Sequence, residues 1–521
     1  MKLFLSFLLT LAASQLFAQP APSPDAKQMP NRCPGNARLG DLPGSPAWNG
    51  WGVDSSNTRF QTEKTAGLTA AEIPQLKLKW AFGFPGAKAV FGQPTVAGGR
   101  VFLGVDTGSV YALDAATGCV HWAFDAGAGV RTAISVDRVN QTPMAFFGDL
   151  KANVYAVNAA TGELIWKVKV EDHPAARLTG APKLFEGRLY VPVSSGEEGA
   201  GRNLQYACCT FRGSVAALDA ATGRQIWKTY TIPDAPQLTK TATGQHWGPA
   251  GGAVWSTPTI DPKRRALYVG TGDAYTEPAA KNTDAVISMD LATGKIQWVM
   301  QDTENDAWLG GCDADKPVGN CPEKLGPDHD FASPPVLKVL PDGRRMLVAG
   351  QKSGNVWAHD PDKNGAVLWR TALVSDTTKF GGKIIWGGAV DDQNAYFGLG
   401  TGGIAAVQIK DGERKWFNAL PASPAMAKHA GHDGPLTAIP GAVFSGGWDG
   451  VLRALSSVDG HVLWEYNTIR DFDTVNGVAA KGGSMGAAGP TVAGGTLFVD
   501  SGYIGVKNGL PGNVLLAFTA R

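Results

Sequence analysis

Apolar residues in this chain come in short runs, each closed by a glycine-containing turn, and the pattern recurs. GSVYALDAATGCVHW at 108–122 stands beside NVYAVNAATGELIW at 153–166, SVAALDAATGRQIW at 214–227 and AVISMDLATGKIQW at 285–298. Each combines alternating or continuous apolar positions, a turn and a second β-like run ending in Trp, the signature of two paired strands. Weaker versions end at Trp369, Trp416 and Trp464, and LKLKW ends at Trp80 without the upstream turn. PTVAGGRVFLG (94–104), APKLFEGRLYVPV (181–193) and PTIDPKRRALYVG (258–270) each add two further strands around a turn. Helical periodicity is scarce.

The tryptophans at 80, 122, 166, 227, 298, 369, 416 and 464 are separated by 42, 44, 61, 71, 71, 47 and 48 residues. That spacing accommodates four short strands per unit, with insertions between the middle units. The last unit, around 494–500 and 513–519, has no terminal Trp of its own, and LKLKW can supply it from the N-terminal side. The pattern predicts an all-β, eight-bladed β-propeller over 70–521, with four-stranded antiparallel blades and the N-terminal strand closing the last blade. A β-helix or linear solenoid is the competing repeat architecture, and it needs no exchange between the ends. The blade-end tryptophans read as packing between sheets, and the Asp-Ala-Thr-Gly turns as local backbone satisfaction with Gly supplying the turn geometry.

The ends and composition narrow the class. Met1-Lys2, an apolar run from Leu3 to Leu11 and small residues up to Ala18 predict a signal peptide over 1–18. A buried helix or retained anchor is the alternative. Residues 19–69 then form an extension packed on the propeller. No later stretch is long and apolar enough for a membrane span, so a periplasmic or secreted protein is expected. With 47 basic and 46 acidic residues spread along the chain, no basic stripe marks a nucleic-acid partner. Of the six cysteines, Cys312 and Cys321 are placed to staple a loop, whereas adjacent Cys208 and Cys209 are open between free thiols, separate bridges and a vicinal ring. None belongs to a CxxCH haem motif.

Candidate chemistry lies where polar residues depart from the repeat. Thr179 precedes one short strand, and Ser195-Gly196-Glu197-Glu198 follows another in a glycine-rich turn able to present carboxylates to a hard cation. Trp255 is an extra tryptophan, far from the blade-ending Trp298, and is placed to lie against a planar ligand. Asp273 ends a strand in GTGDAY and, paired with Glu198, makes a plausible oxygen set for a metal. Downstream, GPDHDF and AGQKSG contribute Asp328, His329, Asp330 and Lys352. Asp330 is the candidate base, Asp328 its local rival, and His329 a turn residue.

With these residues in view, the chain resembles the pyrroloquinoline-quinone (PQQ)-dependent alcohol dehydrogenases. NGWGVDSSNTRFQ, LKLKWAFGFPG, CCTFRGSVAALDA and GPDHDF look most like the polyvinyl-alcohol dehydrogenase branch. The resemblance implies a PQQ and Ca²⁺ site in an eight-bladed propeller. It maps Ser195 and Gly196 to cofactor contacts, Trp255 to the stacking tryptophan, and Glu198, Asp273 and Asp330 to the metal. Asp330 in HisAspPhe takes the place of the catalytic aspartate, with His329 replacing the family's aromatic residue. Lys352, Thr179 and Arg131 match further cofactor contacts, and Trp386 and the glycine-rich 482–486 segment are candidate pocket walls. Two departures stand out. Gln93 occupies the place of the usual Glu and cannot supply its charge, and the cysteine pair sits in the third repeat rather than near the early arginine.

The implied activity is oxidation of an alcohol, expected to be a secondary hydroxyl such as those of poly(vinyl alcohol), to a carbonyl. Without a haem motif or a nicotinamide-binding glycine motif, electrons are expected to leave to a separate cytochrome c or another periplasmic acceptor. The rivals are a sugar or small-alcohol PQQ dehydrogenase and a cofactor-free envelope propeller that binds proteins.

Overall fold

A computed structural model describes residues 29, 31–34, 38–42, 47–241, 244–312, 319–377, 383–505 and 509–521. The expected signal peptide, 1–18, and part of the 19–69 extension lie outside them. Eight four-stranded antiparallel sheets form the blades of a propeller, spanning 95–125, 135–169, 183–230, 259–301, 336–372, 389–418, 437–467 and 491–519. The eighth blade has only three strands of its own at the C-terminal end. Its fourth, Lys77–Gly83, pairs antiparallel with Val514–Thr519, so Leu78 meets Phe518 and Phe82 meets Leu515. The ring is closed by the N-terminal strand, as the missing tryptophan predicted.

The repeat explains how neighbouring blades lock. Trp122, Trp166 and Trp227 each donate an indole N–H to a backbone carbonyl in the turn of the following blade, at Ala159 (3.0 Å), Ala220 (3.0 Å) and Leu291 (3.2 Å). Each indole also lies against the glycine of that turn. At Gly162, φ is 79° and a Cβ would come within 2.8 Å of Trp122, so this position needs glycine twice over. Trp80 covers Gly118 in the same way and carries the contact from the last blade to the first. A side-chain oxygen at the start of the turn, from Asp114, Asp219, Asp290 or Asn158, folds the loop beneath the indole: Asp114 Oδ1 accepts from Thr117 N at 2.9 Å and Thr117 Oγ1 at 2.7 Å.

A second feature organises the axis. Residues 48–61 circle it and bond to the innermost strand of all eight blades in turn. Trp48 exchanges backbone hydrogen bonds with Val96 (both 2.9 Å), and Asn49 pairs its amide with Val136. Lys183 donates to Asn57 Oδ1 at 3.0 Å. Ile260, Leu337, Val390 and Ala438 donate to the carbonyls of Ser55, Ser56, Thr58 and Arg59. Gln61 completes the circuit at Val492 O, 3.2 Å away. An inner strand would otherwise leave its edge unpaired around the axis, and this segment satisfies part of seven of those edges, the third blade being held through the Lys183 side chain.

All six cysteines are paired, as Cys33–Cys119, Cys208–Cys209 and Cys312–Cys321. The first ties the extension to blade one, where Asn31 and Cys33 also bond Val120. Three disulfides are consistent with an oxidising, extracytoplasmic compartment. No helix among the described residues is long and apolar enough to cross a membrane.

Candidate active site

The propeller places chemistry at two recurrent points of its blades. Residues just before an innermost strand turn toward the axis and line a cleft of about 420 Å³ open to solvent, among them Gln93, Arg131, Thr179, Trp255 and Trp386. Residues just after a second strand gather beside it: Glu198 follows Arg188–Ser195, Asp273 follows Ala266–Gly270, and Lys352 follows Arg345–Gly350. Asp328 and Asp330 arrive on the long connection between blades four and five.

These last residues form one charged cluster. Lys352 Nζ lies 2.6 Å from Asp328 Oδ1 and 2.8 Å from Asp330 Oδ2. Asp330 Oδ1 accepts the Asp273 backbone N–H at 2.7 Å. Oxygen atoms of Asp273, Asp328 and Asp330 fall within 4.8 Å of one another. Asp273 is fully buried, and neither of its carboxylate oxygens has a hydrogen-bond partner. Burial, then the charges of Asp330, Glu198 and Asp328, push its pKa well above the usual carboxylate range. Burial raises Glu198 and Asp328 as well, with Lys352 opposing. Burial alone would lower Lys352, but Asp328, Asp330 and Glu198 outweigh it and hold the ammonium well above its ordinary value. More acid than base converges here, and an unpartnered buried carboxylate points into the group. That is the donor set a hard divalent cation takes.

The cluster adjoins the cleft through Gly272. A Cβ on Gly272 would come within 2.7 Å of Trp255 Nε1 and 3.3 Å of the Asp330 carboxyl, so the absent side chain is what lets indole and carboxylate stand side by side. Trp255 Nε1 is itself buried without a partner. Thr179 donates to the Trp255 carbonyl at 2.9 Å and fixes that turn. Across the cleft, the Arg131 guanidinium lies 4.3 Å from the Trp386 ring centroid and 5.9 Å from that of Tyr503.

Other candidates sit further back. Ser195 is fully buried and its hydroxyl accepts the Glu197 N–H at 2.7 Å; Gly196 lies against the Arg177 guanidinium, which would overlap any side chain there. The His329 N–H donates to Asp306 at 2.7 Å. Of the 482–486 segment, Gly486 packs on Trp448 and Tyr503, while neighbouring Ala487 reaches the cleft.

Asp306 and Trp51 escaped the sequence reading, and Glu197 has a role other than the one expected of its turn. Glu197 accepts from Tyr206 Oη (2.8 Å), Thr210 N (2.9 Å) and Phe211 N (2.8 Å), tying the Glu198 turn to the loop that follows Cys208–Cys209. Asp306 holds the backbone of Asp328 and His329, and burial lifts its pKa to about 6. Trp51 forms part of the cleft wall. In the sequence, Trp51 is one of eight tryptophans outside the blade-end positions, and no local signal separates it from the others as a wall of the cleft.

Known proteins share the sequence and the fold. A family model described as the β-propeller domain of glucose/ethanol/alcohol dehydrogenases matches residues 48–319, and one described as outer membrane protein assembly factor BamB matches 352–506. A polyvinylalcohol dehydrogenase of a Pseudomonas sp is 43% identical over 515 residues, covering 94% of this chain and 79% of that protein. One from Sphingopyxis sp. (strain 113P3) is 39% identical, covering 92% and 77%. Among solved structures, quinohemoprotein alcohol dehydrogenase ADHIIG from Pseudomonas putida HK5 superposes with a TM-score of 0.68 at 18% identity, covering 94% of this chain and 83% of that one. The class is therefore a propeller oxidoreductase rather than a propeller that only binds proteins. More narrowly, the chain belongs to the PQQ-dependent alcohol dehydrogenase family.

Proposed function

We infer that this enzyme oxidises the secondary hydroxyl groups of poly(vinyl alcohol) to ketones, using PQQ and Ca²⁺ and passing electrons to an external cytochrome c. The observation that carries the substrate is the 43% identity to a polyvinylalcohol dehydrogenase over 94% of the chain. The residues present suit both groups. Glu198, Asp273 and Asp330 would hold Ca²⁺, and the two orphan oxygens of Asp273 give that ion its clearest demand. Trp255, Arg131, Thr179, Lys352 and Trp386 would hold PQQ, with Ser195 and Gly196 shaping the turn that carries Glu198. Bound there, PQQ would supply an electrophilic carbonyl as the acceptor of the alcohol's two electrons.

The chain's own part is positioning and proton transfer. Asp330 removes the hydroxyl proton as the carbon gives up hydride, so one proton and one hydride leave the alcohol and a ketone remains. The Asp273 N–H and the Lys352 ammonium each grip one oxygen of Asp330, which fixes the carboxylate in place. Trp255 sets the plane of the flat ligand.

Anaerobic reconstitution with PQQ and Ca²⁺, followed by dye reduction with poly(vinyl alcohol), 2-propanol and glucose, tests this reading. Reduction by the polymer is expected. Turnover of glucose alone would defeat the substrate assignment, and reconstitution that succeeds equally in the presence of a calcium chelator would defeat the metal.

A further inference from the structure

Behind the cleft wall lies a charge that no acidic group in the described structure neutralises. Arg59 has no exposed surface. Its guanidinium N–H groups all end on neutral acceptors: the carbonyls of Trp51, Leu436 and Pro490, Gln93 Oε1 at 3.2 Å and Thr437 Oγ1 at 2.9 Å. Its charge is sandwiched between Trp48 and Trp51, 5.1 and 4.7 Å from their ring centroids. Gly489 admits it, since a side chain there would overlap the guanidinium. Burial lowers the pKa only to about 9, so the group is charged at neutral pH. A buried cation ordinarily takes a carboxylate partner. Here space and hydrogen bonds are provided for the guanidinium, and the counter-charge is not.

Two of the groups that touch Arg59, Trp51 and Gln93, form part of the cleft wall. Gln93 is central. Its Oε1 accepts from Arg59 and from the Gly489 N–H at 2.9 Å, and its Nε2 donates to Thr491 Oγ1 at 2.6 Å. An acid in this place would pair with Arg59 and cancel the charge, whereas the amide satisfies the same geometry and leaves it intact. In a poorly solvated setting that charge acts on whatever fills the cleft far more strongly than it would in water.

We propose that Arg59 is an electrostatic positioning residue for the cleft ligand: its unneutralised charge, kept available by Gln93, favours a planar ligand that carries carboxylates. This deepens the cofactor assignment above and rests on it, PQQ being a planar polycarboxylate.

The test compares wild type, Gln93→Glu and Gln93→Met by two measurements: thermal melting of the ligand-free protein, and PQQ affinity from quenching of tryptophan fluorescence. In Gln93→Glu the Thr491 hydroxyl, now donating to Pro94 O at 2.8 Å, turns to the new oxygen. The ligand-free Gln93→Glu protein is expected to melt higher than wild type, because Arg59 gains a partner, while PQQ binding weakens by about tenfold or more. Gln93→Met, which loses the hydrogen bond but keeps the charge free, is expected to lose distinctly less affinity. Unchanged affinity in Gln93→Glu, weaker binding together with a lower melting temperature, or an equal loss in Gln93→Met would each overturn the inference. Wild-type protein that takes up no PQQ would instead overturn the cofactor assignment, and this inference with it.

Discussion

Asp328 and Asp330 are two residues apart and both touch Lys352, yet their surroundings differ. Asp330 borders the indole of Trp255 across Gly272 and is gripped at both oxygens, one by Lys352 and one by the Asp273 N–H. Asp328 sits at positive φ, 60°, and its backbone is held by Asp306. Asp330→Asn should therefore keep PQQ binding and lower turnover at least about 100-fold, the scale of a lost general base. Near-normal turnover would move the role to Asp328. Asp273→Asn should weaken Ca²⁺ binding in calorimetry, because it replaces a buried carboxylate whose two oxygens have no other hydrogen-bond partner. Elsewhere, a titrating residue is tied to stability. His432 is fully buried, and burial, then Arg453, lower its pKa from 6.5 to about 4. The unfolded chain binds that proton first as pH falls, so the contribution of His432 is complete above about pH 6.5 and is lost toward pH 4, about 3 kcal/mol in all. Urea melts across this range should show the loss, and His432→Gln should flatten it.

At the scale of the element, one Trp-ended hairpin is used seven times, and its eighth counterpart is assembled from Val514–Thr519 and Lys77–Gly83. The Trp and Gly of the repeat were legible in the sequence because packing between blades demands the same atoms each time. Trp166→Ala should cost about 3–5 kcal/mol in denaturant melts, since it removes the indole from Gly223 and the hydrogen bond to Ala220. The site candidates were legible for the opposite reason: Trp255, Asp273 and Lys352 fall at strand ends where the repeat imposes nothing. The roles of Glu197 and Asp306 were not legible. Each holds backbone N–H groups rather than a ligand, and a buried acid that caps a loop has the same one-letter code as one that faces water.

For the whole molecule, closure depends on parts brought from far along the chain. A protein beginning at residue 84 would lack Lys77–Gly83 and expose the edge of Val514–Thr519, and it should aggregate in sedimentation experiments. By itself the sequence determined the number of blades and the exchange that closes them, because strand alternation, turn residues and tryptophan spacing are local signals that repeat; the type of chemistry came from the family resemblance carried by residues outside that repeat. Tertiary structure alone decided that 48–61 rings the axis, that Trp51 enters the cleft wall and that Arg59 stands behind it without a counter-charge among the described residues. Those outcomes depend on contacts between residues as far apart as Arg59 and Pro490, and no local pattern encodes which distant groups a buried side chain will meet.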